Sequence, residues 1–567
     1  MKNIYYSILF ILTFVVSACN DLLEEDPQYA SNSVTVFQDE NTAQLALYGC
    51  YAHLTSFDVY GQVYWEFSEG ASGLMWAQTN QSDQDRYASL RMTARDGLTR
   101  MVWDGFYKTI AECNLFIKGI NDSPLSDDFK AYSVAQAKFI RGLCFYNLMV
   151  HFGELPLRNS ENLGIVNLPR ASLEQVVGQI EQDFQESATG LKLMESDSSI
   201  PTQNSAYAML TKLYWYLGCK DQASNSAYWA KAKQYGDLVV GKYSLESSYS
   251  NLFNANVRDS KESIFKINFP WEAPSGYGNR SSWVFSPQNS IASPAISWGR
   301  FRFTKAFHDD FRATHPGDPR YSATFLTQWV DKNRKDAEAY PVKMDRSNRV
   351  PKDISIPYHL VSNPANPSID EIKAIEPATV TAFTASGADH QGWPYLKKTM
   401  DLTQSAQLSK KNFIVYRYAD FLLLMADVEN ELGNVKVAVG HVNTVLARAR
   451  NSSSPASLQP ANLSETISQA DLRTAIFRER QFELAGECHS FSDLRRRGTE
   501  FLKLAVDRHN NHEITKAHSP ELASNRFYDR LFPQSEDELR TNLLFPIPQE
   551  ELDTNEKIGI ENQNPGY

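Results

Sequence analysis

The chain is 567 residues long, 42% hydrophobic and 22% charged, with a formal net charge of −11. This is the composition of a core-forming globular protein, long enough for several domains or for one large domain with an insert. The acidic balance excludes nucleic acid as a partner, because phosphate binding needs a basic surface.

Lys2, the apolar stretch 4–16 and the small residues before Cys19 read as a targeting segment over 1–19. The apolar run is short, which fits a signal region rather than a spanning helix. Val16-Ser17-Ala18-Cys19 looks like a bacterial lipobox, whose cleavage leaves Cys19 as a lipid-modified N-terminus. The mature chain would then be membrane-anchored without a spanning helix. Residues 20–40 form a polar tether, with Asp21, Glu24, Glu25 and Asp26 close behind the cysteine. The other cysteines (Cys50, Cys113, Cys144, Cys219 and Cys488) are scattered and form no CxxC pair. They read as buried thiols and offer no zinc site.

The helical N-terminal part spans 41–242. Ala43, Leu47, Cys50 and Leu54 recur at helical spacing. The Gly-, Asn- and Gln-rich sequence over 60–98 reads as a long loop carrying Trp65, Trp76 and Tyr87, and helix returns over 103–114. The strongest pattern is 135–153. Ala135, Phe139, Leu143, Tyr146 and Val150 form one apolar face, and Ile140, Cys144 and Leu148 a second. A helix apolar on two sides must lie between other elements. Gly153 ends it, Pro156 forbids continuation, and Arg141 reads as a structural ion pair. Another amphipathic helix covers 172–193.

Two helix–turn–helix units share a grammar. Gly218 ends 206–217 with Ala223 opening the return; Gly433 ends 418–432 with Ala438 opening the return. This is weakly the pattern of tetratricopeptide hairpins. The units lie far apart, so the spacing predicts a mostly α, tetratricopeptide-like helical-hairpin cradle interrupted by an insert. The insert, 243–410, is rich in Pro, Gly, Ser and aromatics, with a short apolar run at 263–269 and a helix over 304–312. Long loops on a helical scaffold are where binding usually resides. The C-terminal part, 411–567, returns to helix over 471–485 and 491–497.

Catalytic motifs are weak. No GxSxG elbow is present. Lys516 stands where a zincin starting at His512-Glu513 needs histidine, so His509, His512 and His518 read as a solvated polar loop. Residues 236–242 have phosphate-loop spacing, but Tyr243 follows and a helix precedes. The pairs Asp83/Asp85 and Asp309/Asp310 could serve glycoside hydrolysis, yet such pairs arise readily among 67 acidic residues. No catalytic group, cofactor or metal is assigned.

The binding case is stronger. Trp76, Trp283 and Trp298 sit in sequence without apolar periodicity to bury them. Flat aromatic faces stack on pyranose rings, removing apolar area from water at about 25 cal/mol per Å². Asn80, Asp83, Asp85 and Arg86 follow Trp76; Tyr277, Asn279 and Arg280 precede Trp283. Such groups would bond sugar hydroxyls.

Several blocks then occur in order: 135–158, Asp318-Pro319-Arg320, Arg417-Tyr418-Ala419-Asp420, Glu479-Arg480 with Glu483-Leu484, Asp493-Leu494-Arg495-Arg496, Pro546-Ile547-Pro548 and Gln563-Asn564-Pro565-Gly566-Tyr567. With the lipobox, they resemble the SusD/RagB family of Bacteroidetes outer-membrane nutrient-binding lipoproteins. Lys138 (often Arg) and Cys488 (usually Gly) depart from the pattern. The resemblance implies a SusD-like α/α superhelix, anchored through the lipid on Cys19 and displayed on the outer face of the outer membrane. It implies capture of an oligosaccharide or polysaccharide without turnover, and delivery to a SusC-like TonB-dependent transporter. It also implies that loops of the two aromatic regions grip the ligand, which singles out Trp76, Asn80, Asp83, Asp85, Arg86, Tyr277, Asn279, Trp283 and Trp298. Alternatives are a RagB-like peptide-uptake protein and a surface glycoside hydrolase using insert carboxylates.

Overall fold

The computed structural model describes residues 36–77, 82–221, 225–270, 272–286, 297–326, 394–401, 403–404, 406–512, 533 and 535–567. Cys19, most of the tether and Asn80 lie outside them, as do Trp271, Trp329, Trp393 and His518. The described chain is mostly helical, with eight short strands in four antiparallel pairs.

Helix α1 (Glu40–Leu54) starts on Asp39, whose carboxylate accepts the Asn41 and Thr42 amides. It buries Ala43, Leu47, Cys50 and Leu54, the four residues of the apolar repeat. The stretch 60–98 is not the expected loop. It contains helix α2 (Val63–Gly70), strand β1 (Met75–Ala77) and helix α3 (Ser82–Ala88). Every residue of α2 is buried, so it shows no contrast between faces and no amphipathic period.

Helices α4 (Gly97–Asn121), α5 (Asp127–Phe152), α6 (Leu173–Gly190), α7 (Gln203–Lys220) and α8 (Asn225–Val239) pack side by side in sequence order. α5 is the two-faced helix. It stops at Gly153, whose φ of +78° is a left-handed conformation that glycine adopts without penalty. Arg141 on α5 donates to Asp183 of α6 at 2.6 and 3.0 Å and to Asn114 of α4 at 2.7 Å. One buried guanidinium thus ties three helices. Ser172 closes a capping box at the start of α6. Gly218 does not end α7, which runs on to Lys220; a Cβ there would sit 2.9 Å from the indole of Trp229. Its glycine lets α8 approach, which is a packing requirement rather than a cap.

Strand β2 (Leu155–Pro156) pairs with β3 (Arg170–Ala171) after α5. Strand β4 (Ser263–Ile267) is the expected apolar run, and helices α9 (Ser281–Phe285) and α10 (Lys305–Thr314) follow it. β5 (Phe301–Phe303) pairs with β1, placing Trp76 opposite Arg302. β6 (Phe325–Leu326) pairs with β7 (Tyr395–Leu396), and β8 (Phe413–Arg417) with β4. The insert is therefore laced to both helical parts by strand pairs.

Helices α11 (Tyr418–Glu431), α12 (Val435–Asn451), α13 (Gln469–Leu484), α14 (Ser490–Arg495) and α15 (Thr499–Asn511) complete the scaffold. α11 packs on α8, α12 and α13, and one apolar core runs from Phe37 to Ile547. α15 replaces the expected solvated histidine loop: His509 is 1% exposed and lies parallel to Trp76 at 5.9 Å, while His512 bonds Asp309 at 3.0 Å.

The charged motifs meet inside. Arg417 contacts Glu483 at 2.6 Å, Glu487 at 2.7 Å and Glu262 at 2.9 Å. Arg448 reaches Glu262 at 2.6 Å and also pairs with Glu483. Arg320 reaches Asp318 and Glu483, each at 2.7 Å, and pairs with Glu479. Beside this cluster, Arg480 joins Asp420 to Asp493. These groups are exposed by only a few per cent, and ions removed from water hold only when paired and hydrogen-bonded. They brace the fold from its interior.

Candidate binding site

The second aromatic region gathers against the turn at 55–61, not against Trp76. The segment 276–280 lies against the turn at 55–61: Phe57 N–H donates to Gly276 O at 2.8 Å, Gly278 N–H to Thr55 O at 2.9 Å, and Arg280 N–H to Gly61 O at 2.7 Å. The segment 298–300 folds back on α9, with Trp298 N–H on Trp283 O and Arg300 N–H on Val284 O, both at 2.8 Å.

These backbone pairings align a stack of side chains. The Arg300 guanidinium lies over the Trp298 indole at 3.3 Å, and Trp298 packs on Trp283. Arg280 lies 5.1 Å from the Trp283 ring and 3.6 Å over Phe57. Cation–π contacts hold both guanidiniums in place. A polar brace lies beneath. Glu66, fully buried on α2, accepts from Arg300 at 3.0 Å, Gln84 at 2.9 Å and Gln62 at 2.8 Å. Gln62 in turn accepts from Arg280 at 3.1 Å. Burial pulls the pKa of both arginines down; at Arg300 the Glu66 carboxylate opposes it.

Only one Arg300 nitrogen and one Arg280 nitrogen take part in these bonds, and Arg280 Nε is buried without a partner among the described residues. Phe57, Arg280, Trp298 and Arg300 are half-buried, whereas Trp283 is 4% exposed. The arrangement presents a half-buried indole, Trp298, capped by one guanidinium, with a second guanidinium, that of Arg280, at the other end of the stack. That combination suits a ligand carrying apolar ring faces and many oxygen acceptors.

The individual expectations fare unequally. Trp298 and Arg280 are half-buried members of the stack. Trp76 is 4% exposed, clamped between β5 and His509, and does not face solvent. Asn279 is buried, donating to Lys411 O and accepting from Ser281, so it shapes the turn. Asp83 and Arg86 pair with one another, Arg86 also with Asp96, and Asp83 accepts the Gly97 amide at 3.0 Å. That pair anchors α3. Asp85 lies on α3, and Tyr277 is half-buried on the opposite side of the 276–280 segment. Gln62 and Glu66 were not legible, because they sit in the stretch that lacks periodicity.

The second carboxylate pair is also structural. Asp309 sits between Lys305, His308 and His512. Burial pushes its carboxyl up, but Lys305 and both histidines outweigh it and hold it well below the usual carboxylate range. A group that stays ionised cannot supply the proton a glycosidase acid must donate. Asp310 is paired with Arg478 and Arg508. Among the described residues, no group of three or more His, Cys, Asp or Glu is placed to hold a metal, and no helix is long and apolar enough to cross a membrane.

A helical cradle with an aromatic–arginine face defines a class of binding scaffold. The family model described as the SusD family matches residues 204–567, and the model described as starch-binding, associating with outer membrane, matches 23–215. The chain belongs to the SusD family. Among relatives it is 25% identical to the SusD-like protein P2 of Formosa agariphila over 576 residues, covering 99% of each chain. Its fold matches a SusD homolog from Bacteroides thetaiotaomicron with a TM-score of 0.74 at 20% identity, covering 94% of this chain and 98% of the other. A laminarin-binding SusD-like protein matches with a TM-score of 0.64 at 21% identity, covering 94% and 100%.

Proposed function

We propose that this protein is a surface-exposed outer-membrane lipoprotein, anchored through Cys19, that captures an oligosaccharide or polysaccharide and delivers it to a SusC-like TonB-dependent transporter. The observation that carries the reading is the half-buried Trp298 indole, capped by Arg300 and packed on Trp283, whose ring also meets Arg280. Arginine forks bond hydroxyl and ring oxygens, and the indole edge and Phe57 give apolar contact to sugar C–H groups. The name of the laminarin-binding neighbour favours the same ligand class. The site acts by binding alone, since the insert carboxylates named for hydrolysis are consumed in ion pairs.

The rival within the binding class is a peptide. Asp83, the acidic group that would attract a cationic one, is neutralised by Arg86, and the open face carries arginines instead. The test is isothermal titration of the lipid-free protein, beginning at Asn20, with a glycan panel that includes laminarin and starch, and with a peptide digest. Heat from a glycan and none from the digest is expected. The reverse result would replace the glycan reading with a peptide one.

A further inference from the structure

On the other side of the 276–280 segment lies a groove of about 650 Å³ between α1, α5, the turn at 199–200 and the end of β4. It is separate from the Trp298 face: Tyr277 lines the groove, while Arg280 belongs to the stack. We propose that this groove is a second binding site, for a short uncharged oligosaccharide. The inference rests on the groove's own chemistry and does not require the Trp298 site.

Four tyrosines line it: Tyr48, Tyr51, Tyr132 and Tyr277. Tyr48 is 56% exposed. A tyrosine combines a flat apolar face with a hydroxyl at its tip, which suits ligands that alternate C–H patches with hydroxyls. The second requirement is unengaged polar groups, and the groove has them. Gln136 on α5 is only 4% exposed; its side-chain oxygen accepts the Tyr51 hydroxyl at 2.7 Å, while its amide nitrogen has no partner among the described residues. The Gln44 amide and the Tyr48 and Tyr277 hydroxyls also have none there. The Gln136 nitrogen is not sealed from solvent, so it can donate to a ligand seated in the groove.

The charge of the groove sets the ligand's charge. Among the described lining residues the one that is ionised is Lys266, and that ammonium is already held by Asp197 at 3.0 Å, Asp259 at 3.1 Å and Arg258 O at 2.6 Å. Among the described lining residues no unpaired charge remains to balance a carboxylate, a sulfate or an ammonium, so a charged ligand seated there would be desolvated without compensation. The volume suits roughly two or three pyranose rings on the scale of small-molecule sites.

The test uses protein carrying Trp298→Ala, which removes the first site from the readout. Maltotriose, laminaritriose, cellotriose, xylotriose and the anionic trigalacturonate are each titrated, with saturation transfer from protein to sugar protons as the signal. At least one neutral trisaccharide is expected to respond and trigalacturonate is not. Adding Tyr48→Ala, at an exposed side chain without hydrogen bonds, is expected to weaken that response about tenfold or more, and Gln136→Leu to do the same. Silence from every neutral trisaccharide overturns the proposal, as does a response that survives both substitutions. An equal response to trigalacturonate overturns the assignment of an uncharged ligand. Because Trp298 is already absent, none of these outcomes depends on the first site.

Discussion

Arg417, at the end of β8, and Glu483, on α13, meet at 2.6 Å with both side chains almost wholly buried. Glu483 also receives Arg320 and Arg448, so one carboxylate compensates part of three guanidinium charges. Burial alone would push its carboxyl up; the three arginines outweigh that and hold it far below the usual range. Glu483→Gln keeps the shape and removes the charge. Urea unfolding is expected to show a loss of about 3–5 kcal/mol, because uncompensated guanidiniums remain in the interior. A loss below about 1 kcal/mol would mean that the cluster is better solvated than its burial implies.

His151 provides a pH signature. Its ring is enclosed by Tyr64, Phe67, Phe491 and Phe545, and burial pushes its pKa down to about 3. The unfolded imidazole titrates near about 6.5. Between those values the unfolded chain binds the extra proton, so stability falls with falling pH, by about 1.4 kcal/mol per unit for this group. His489, also pushed down to about 3 by burial, adds to the slope, whereas Glu69, pushed up to about 7 by burial, opposes it. His151→Phe is expected to reduce the slope by about one proton in unfolding free energies between about pH 4 and 6. An unchanged slope would show that the ring is already protonated in the fold.

Gly218→Ala separates packing from propensity. Alanine raises intrinsic helix propensity by about 1 kcal/mol, yet its Cβ would lie 2.9 Å from the enclosed Trp229 ring. The expected result is a net loss of about 1–3 kcal/mol in thermal or urea unfolding. Net stabilisation would show that α7 and α8 can move apart at no cost.

Trp76→Ala tests the placement of that indole. Buried on β1 and stacked parallel to His509, it should cost about 3–5 kcal/mol of stability when removed. At temperatures where the variant stays folded, glycan affinity should be unchanged. Lost affinity with undiminished stability would restore Trp76 to the site.

The legible parts of the fold were those with a face. Ala43, Leu47, Cys50 and Leu54 on α1, and the two apolar sides of α5, announced their burial by spacing, and Gly153 marked the stop. Helix α2 was hidden because all its residues are interior, and β1 because three residues are too few to show alternation. α15 did carry a signal: Phe501, Leu502, Ala505, Val506 and His509 recur at helical spacing and are all buried, but the histidines drew the reading toward a loop. The depth of the charged motifs was not legible, since burial depends on partners far away in sequence, as Glu262 is from Arg448. Cys488 shows the same dependence. It occupies a left-handed position at φ 64°, where glycine would be unstrained, and this conformation comes from the turn between α13 and α14. Trp298 and Trp283 looked alike in sequence; only the fold separates the half-buried edge from the buried core ring.

The most direct measurement is the affinity of the lipid-free protein for whichever panel glycan it binds, compared with Trp298→Ala and Arg280→Met. Both side chains are half-buried, so melting temperatures should change little. A loss of at least about tenfold in affinity for each variant, with no product released from the glycan, is the predicted result. Undiminished binding by both variants, or steady release of shorter sugars, would contradict capture at the Trp298–Arg280 face.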